Sequence, residues 1–201
     1  MTRIISGAAG GRRLTVPGGR ATRPTSDRTR EGMFATVLTI LGSLAGKAVL
    51  DLYAGSGAIG LEALSRGAAD VLLVESDPVA ARVIRSNIEI VGLPGARLIQ
   101  DRADRVLRRG PGGDRQRDLV VADPPYATGD EDLAAMLAQL TGHGWLARDA
   151  LVVIERDARS GPPPWPPWYC EDRSRRYGET VLWYGRASGD VPATAAASTG
   201  A

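Results

Sequence analysis

The chain is poor in the residues that build metal and redox centres. Its 201 residues include one cysteine, Cys170, and one histidine, His143. A lone cysteine excludes an intrachain disulfide and a cysteine-based zinc site. His143 lies in Thr141-Gly-His-Gly144, a loop-like stretch, so neither a histidine zinc centre nor a buried histidine base is expected, and no metal is assigned. Aromatic residues are scarce, at 5%. Core volume must come from Ala, Val, Leu and Ile, which suits parallel strands covered by helices. No stretch approaches the roughly 20 apolar residues of a membrane span. The opening MTRIISGAAGG has no apolar run of signal-peptide length. A soluble, cytoplasmic protein with no membrane partner is expected.

Lysine is nearly absent too: Lys47 is the only one, and arginine carries almost all the positive charge. Net charge is only +2, but its distribution is uneven. Arg3, Arg12, Arg13, Arg20, Arg23, Arg28 and Arg30 face only Asp27 and Glu31 near the N-terminus. Arg102, Arg105, Arg108, Arg109, Arg115 and Arg117 form a second group, and Arg173, Arg175 and Arg176 a third. Basic patches on a near-neutral protein are the footprint of phosphate contacts. An arginine-rich composition alone would also place arginines on a solvated surface. The N-terminal group is the one read as an RNA contact, through Arg3, Arg12, Arg13, Arg23, Arg28 and Arg30.

Along the chain, Arg3 to Ser6 and Arg12 to Val16 read as short strands around a glycine-rich turn. Thr25-Ser26-Asp27 reads as a helix start, with Met33, Phe34, Val37, Leu38 and Leu41 at helical spacing. Strands and helices then alternate: strands at Ala48–Tyr53, Val71–Glu75, Arg97–Gln100, Leu119–Asp123 and Leu151–Glu155, and helices at Ala58–Arg66, Val79–Val91, Ala103–Arg109 and Glu131–Leu140. Such β-α repetition implies an α/β fold with a parallel sheet and helices on both faces. Gly161 to Trp168 is proline-rich and irregular. Tyr169–Tyr177 and Thr180–Tyr184, joined at Gly178-Glu179, read as an antiparallel hairpin. The expected division is a basic extension over residues 1–24, one domain over 25–186 and a disordered Ala/Thr/Ser/Gly tail over 187–201.

Two motifs carry chemistry. Asp51-Leu-Tyr-Ala-Gly55-Ser-Gly57-Ala-Ile-Gly60 follows a strand and opens a helix. Glycines there let the backbone turn sharply and approach a ligand. The spelling also fits the dinucleotide fingerprint, and a plain tight turn would use the same residues. Asp51 favours one ligand over the other: a carboxylate at the strand end accepts from the ammonium of a methionine moiety but repels a pyrophosphate. This points to S-adenosylmethionine (SAM). Glu75, ending the next strand, is placed to accept from ribose hydroxyls. Tyr53, Ser56, Ser76 and the turn Asp101-Arg102-Ala103 complete the expected cofactor set.

The second motif, Asp123-Pro124-Pro125-Tyr126, ends a later strand. Two prolines fix φ and remove two donors, making a stiff corner. The Asp123 carboxylate and Pro124 carbonyl can accept from a base amine. Their pull disfavours delocalisation of its lone pair into the ring, while Tyr126 stacks on the base. Positioning and electrostatics would then carry most of the rate. Asp123 is also expected to border the cofactor. The base must leave its stack to enter such a pocket.

With these motifs in place, the sequence resembles the RsmD family, bacterial methyltransferases of a guanine amine in 16S ribosomal RNA. The resemblance lies in Arg3-Ile-Ile-Ser-Gly, Gly11-Arg-Arg-Leu, Arg23-Pro-Thr-Ser-Asp27-Arg-Thr-Arg-Glu31-Gly-Met-Phe34, Asp51 to Gly60, Asp123 to Tyr126 and Tyr177-Gly-Glu-Thr180. It implies a Rossmann-like class I methyltransferase with a seven-stranded, mostly parallel sheet and an antiparallel last strand. It also implies an N-terminal extension that grips RNA, and a substrate of 16S rRNA in a small subunit or assembly intermediate, with no obligate protein partner. Guanine offers N1–H and N2 donors on one edge, and Asp123 could accept from both. Adenine-N6 methylation of DNA or RNA, methylation of a protein amide, an NAD-dependent oxidoreductase and a non-catalytic assembly factor are the competing readings.

Overall fold

The computed structural model describes residues 2–18, 26–125 and 127–188. The chain divides into two compact units, Met1–Ala103 and Asp104–Ala201. Seven strands form a mostly parallel sheet whose last strand in sequence is antiparallel, as the resemblance implied.

In the first unit, β1 (Thr2–Arg3) and β2 (Arg13–Leu14) pair antiparallel. These strands are shorter than the sequence pattern predicts. The backbone between them bonds to side chains instead of extending the ladder: Ile5 N and Ser6 N donate to the Glu62 carboxylate at 2.6 and 3.0 Å, and Ala9 N donates to Ser65 Oγ at 2.9 Å. Helix α1 (Asp27–Leu41) starts at Ser26, whose hydroxyl accepts from Thr29 N. Its inward residues Met33, Phe34 and Val37 are buried.

Strand β3 (Ala48–Leu52), helix α2 (Ala58–Ser65), strand β4 (Asp70–Glu75), helix α3 (Pro78–Val91) and strand β5 (Ala96–Gln100) follow. The order β5-β4-β3 is parallel throughout. Every residue of β3 is buried, the signature of a strand covered on both faces. Each fully buried Val or Leu contributes roughly 1.5–3 kcal/mol. Helix α3 has Asp77 as N-cap, Pro78 in its first turn and Gly92 as a left-handed stop. Helix α4 (Ala103–Arg108) comes next.

In the second unit, β6 (Arg117–Ala122), α5 (Asp130–Gly142), β7 (Leu146–Asp157), β8 (Tyr169–Tyr177) and β9 (Thr180–Ala187) give the order β6-β7-β9-β8. Strand β9 runs antiparallel to both neighbours. Strand β7 begins earlier than its apolar run Leu151–Ile154, with Asp149 at φ 59° inside it. The Pro/Trp loop packs inward. Trp165 lies 5.6 Å from the Tyr169 ring and covers Gly185, where a Cβ would meet its ring at 2.7 Å. Trp168 Nε1 donates to Thr141 Oγ1. Among the described residues, no helix is long and apolar enough to cross a membrane. The expected tail starts too early, since Ala187 ends β9 and Ser188 bonds to Trp168 O; residues 189–201 lie outside the described residues.

Candidate active site

Strand β3 delivers its chain into the glycine turn through Tyr53, a half-buried non-glycine residue at φ 62°. Backbone in this region costs about 1–3 kcal/mol and persists where surrounding structure enforces it. Gly55 follows at φ 57°, and a Cβ there would meet nothing within 4 Å, so its main chain lies bare to an approaching ligand. Gly57 caps α2 in the left-handed conformation, and no side chain caps that helix. Gly60, by contrast, is closely packed. A Cβ there would stand 3.0 Å from Leu73 Cδ2 and Val71 Cγ1, and 3.1 Å from Asp51 Oδ2.

Asp51 is buried, and its Oδ2 accepts from Gly60 N at 2.8 Å. Burial, assisted by the nearby Glu75 charge and opposed by the Gly60 amide, pushes its pKa up to about 7. A cation beside it would favour the ionised form. Glu75 ends β4 and holds the turn: its Oε2 accepts from Gly55 N and its Oε1 from Asp77 N, both at 2.8 Å. A carboxylate oxygen has a second lone pair, so these bonds leave acceptor capacity for a hydroxyl. Ser56 is half-buried in the turn and Ser76 exposed beside Glu75. After β5, Asp101 Oδ1 accepts from Arg102 N at 2.8 Å and Ala103 opens α4.

Asn87 is a residue the sequence reading missed. It is fully buried on α3 and donates to Ser56 O at 2.8 Å. The signal was present: it shares the helical face of Ala80, Ile84 and Val91, all buried, and an amide on such a face needs partners.

In the second unit, β6 leads into Asp123-Pro124-Pro125, and Thr128 N closes the corner on Pro125 O at 2.8 Å. Tyr126 lies outside the described residues. Asp123, Pro124 and Pro125 line an open cleft together with Thr128, Glu155 and Arg156. Arg156 is braced by Asp130 Oδ1 at 2.7 Å and Pro162 O at 2.8 Å. Glu155 and Arg156 were also missed, although charges ending the apolar run Leu151–Ile154 mark a strand terminus opening on solvent.

The N-terminal arginines separate into two classes. Arg3, Arg12, Arg13 and Arg28 are exposed, and Arg3 and Arg13 sit opposite each other in the β1–β2 ladder. Arg12 also donates to the carbonyls of Ile90 and Val91 at the end of α3. Arg30 corrects the expectation of an RNA contact. Its side chain is 0% exposed and donates to Asp27 Oδ1 and Arg3 O, both at 2.7 Å. Burial lowers its pKa and Asp27 opposes that shift, so Arg30 joins the segment to α1. Arg117, from the second basic group, is likewise buried, against Asp114. Arg20 and Arg23 lie outside the described residues.

Residues 2–186 match the family model described as conserved hypothetical protein 95. Over 194 residues the chain is 34% identical to ribosomal RNA small subunit methyltransferase D of Escherichia coli (strain K12), covering 95% of this chain and 93% of that protein. The chain belongs to the RsmD family. The same family resemblance extends to YlbH of Bacillus subtilis (strain 168), 32% identical over 89% of this chain and 95% of YlbH. The solved structure of the Escherichia coli protein yhhF superposes with a TM-score of 0.80 at 32% identity, covering 92% of this chain and 97% of that one. The RsmD match spans both the glycine turn and the proline corner.

Proposed function

We propose that this chain transfers a methyl group from SAM to the exocyclic N2 amine of a guanine in 16S rRNA of the small ribosomal subunit. The observation that carries the reading is the Asp123-Pro124-Pro125 corner, opening on a cleft at the carboxyl end of β6.

The residues of the glycine turn fit SAM. Asp51 offers a buried carboxylate to the ammonium, the bare main chain at Gly55 accepts close approach, and the uncapped start of α2 suits the carboxylate. Glu75 takes the ribose hydroxyls, Tyr53, Ser56, Gly57 and Ser76 shape the turn, and Asp101, Arg102 and Ala103 flank the adenine. Bound SAM supplies an electrophilic methyl group on a sulfonium. The protein must therefore supply an oriented amine more than a strong base.

That task falls to Asp123 and Pro124, which accept from the amine and hold its lone pair out of conjugation, with Tyr126 stacking on the ring. Guanine suits an acidic cleft because N1–H and N2–H₂ are adjacent donors, whereas N1 of adenine is an acceptor. Glu155 adds a second carboxylate to the lining.

Arg3, Arg13, Arg23 and Arg28 supply phosphate contacts from the extension over residues 1–24 and the start of α1. Arg3 and Arg13 stand opposite each other on the ladder, so one phosphate can meet both, and Arg3 is also paired with Asp27 Oδ2 at 3.7 Å. The substrate is the rRNA of a small subunit or an assembly intermediate, met in the cytoplasm.

The test is incubation with methyl-labelled SAM and small subunits lacking native methylation, then digestion of the rRNA to nucleosides. Label in N2-methylguanosine is expected. Label in N6-methyladenosine, in protein or nowhere would refute the assignment.

A further inference from the structure

Asn87 touches both ends of the first unit at once. Its Oδ1 accepts from Thr15 N at 2.9 Å, one amide hydrogen goes to Thr15 O at 2.9 Å and the other to Ser56 O at 2.8 Å. The side chain is 0% exposed. A carboxamide has two N–H donors and one carbonyl acceptor, so both donors are spent on main-chain carbonyls. Thr15 belongs to the N-terminal segment, two residues after the exposed Arg13. Ser56 lies between the glycines of the cofactor turn, whose other side is held by Glu75 through Gly55 N.

We infer that Asn87 is a positioning residue that couples RNA binding on the N-terminal segment to cofactor binding on the glycine turn. The inference rests on the SAM and RNA assignments above. Ordering of residues 12–15 by RNA fixes Thr15, Thr15 fixes the Asn87 amide, and the amide fixes the Ser56 carbonyl and with it the turn. The helix that carries Asn87 is gripped by the same segment, since Arg12 bonds the carbonyls of Ile90 and Val91. The segment and the turn therefore share one rigid support, and a ligand that orders one lowers the entropy lost in ordering the other. Such coupling is reciprocal, typically on the order of 5- to 150-fold in affinity.

The experiment uses S-adenosylhomocysteine (SAH) as the probe, to avoid turnover. Its affinity for the full chain is measured by calorimetry with and without saturating small subunits that lack native methylation, whose 16S rRNA is the assigned substrate. In the wild type, rRNA tightens SAH binding by about fivefold or more. Asn87→Leu keeps the shape of the side chain but none of its bonds. It should bind SAH alone more weakly than wild type, because the Ser56 carbonyl loses its donor, and show no rRNA effect. Thr15→Pro deletes the N–H that donates to Asn87, together with the threonine side chain and the freedom of φ, and carries the expectation of a lost rRNA effect where Asn87→Leu proves unstable in thermal melts. A wild-type factor retained in both variants overturns the inference, as does SAH binding in the wild type that rRNA does not change. Failure of the wild type to bind SAH at all would instead strike the cofactor assignment itself.

Discussion

At the glycine turn, polar groups are held by partners within the same unit: Asp51 by Gly60 N, Glu75 by Gly55 N and Asp77 N, and Ser56 O by Asn87. At the proline corner, stiffness is covalent, from two pyrrolidine rings, and charged and hydroxyl side chains line an open cleft. The first region is over-determined by buried hydrogen bonds, so substitutions there should register in binding and stability. The second is a rigid frame for side chains, so substitutions there should register in rate.

The largest binding effect is expected at Asp51. Asp51→Asn keeps an acceptor for Gly60 N–H but removes the charge proposed to meet the ammonium. A hydrogen bond to a charged group contributes roughly 1.5–3 kcal/mol, so calorimetry should show SAH affinity falling by about 10- to 100-fold. The raised pKa adds a pH signature. Ligand binding needs the ionised carboxylate, so wild-type affinity should rise with pH through about 7, while Asp51→Asn stays flat. Stability without ligand runs the other way. A carboxyl whose folded pKa exceeds its unfolded value favours the fold while protonated. That contribution is full below the unfolded pKa and lost as pH rises from about 4 to about 7. An affinity independent of pH would place the ligand charge elsewhere.

A smaller effect is expected from Gly60→Ala, where the new methyl crowds Leu73, Val71 and Asp51. Overpacking costs typically about 1–3 kcal/mol, seen as a lower denaturation midpoint even without cofactor. An unchanged midpoint would show that the turn is looser than its contacts imply.

The smallest effects separate two neighbouring arginines. Arg12→Ala should lower stability by about 0.3–1 kcal/mol, because Arg12 bonds carbonyls at the end of α3. Arg13→Ala should leave stability unchanged and reduce the salt dependence of RNA binding by about one counterion. Equal effects in both measurements would contradict the division between a brace and an RNA contact.

Much of this was legible in the sequence because it rests on local chemistry. The runs around Val49 and Leu72 are buried strands, Ser26-Asp27 is a helix start, and the Asp51–Gly60 spacing fixes a turn. What was not legible depends on contacts distant in the chain. Glu62 reads as an ordinary helix acid, yet it bonds the backbone of Ile5 and Ser6 and so cuts β1 to two residues. Arg30 reads as part of a basic cluster until packing puts its guanidinium beneath Arg3 O. The partners of Asn87 lie 72 and 31 positions away, beyond any local pattern.

The most direct test of the central claim pairs two measurements on one preparation of Asp123→Ala: SAH affinity, and the single-turnover rate of methylation on unmethylated small subunits. SAH affinity within about threefold of wild type is predicted, with a rate lower by roughly 100- to 1,000-fold, the usual loss for removing one preorganised group that orients a reacting centre. A rate within tenfold of wild type, or an affinity that falls in step with the rate, would contradict the assignment of the proline corner to the base amine.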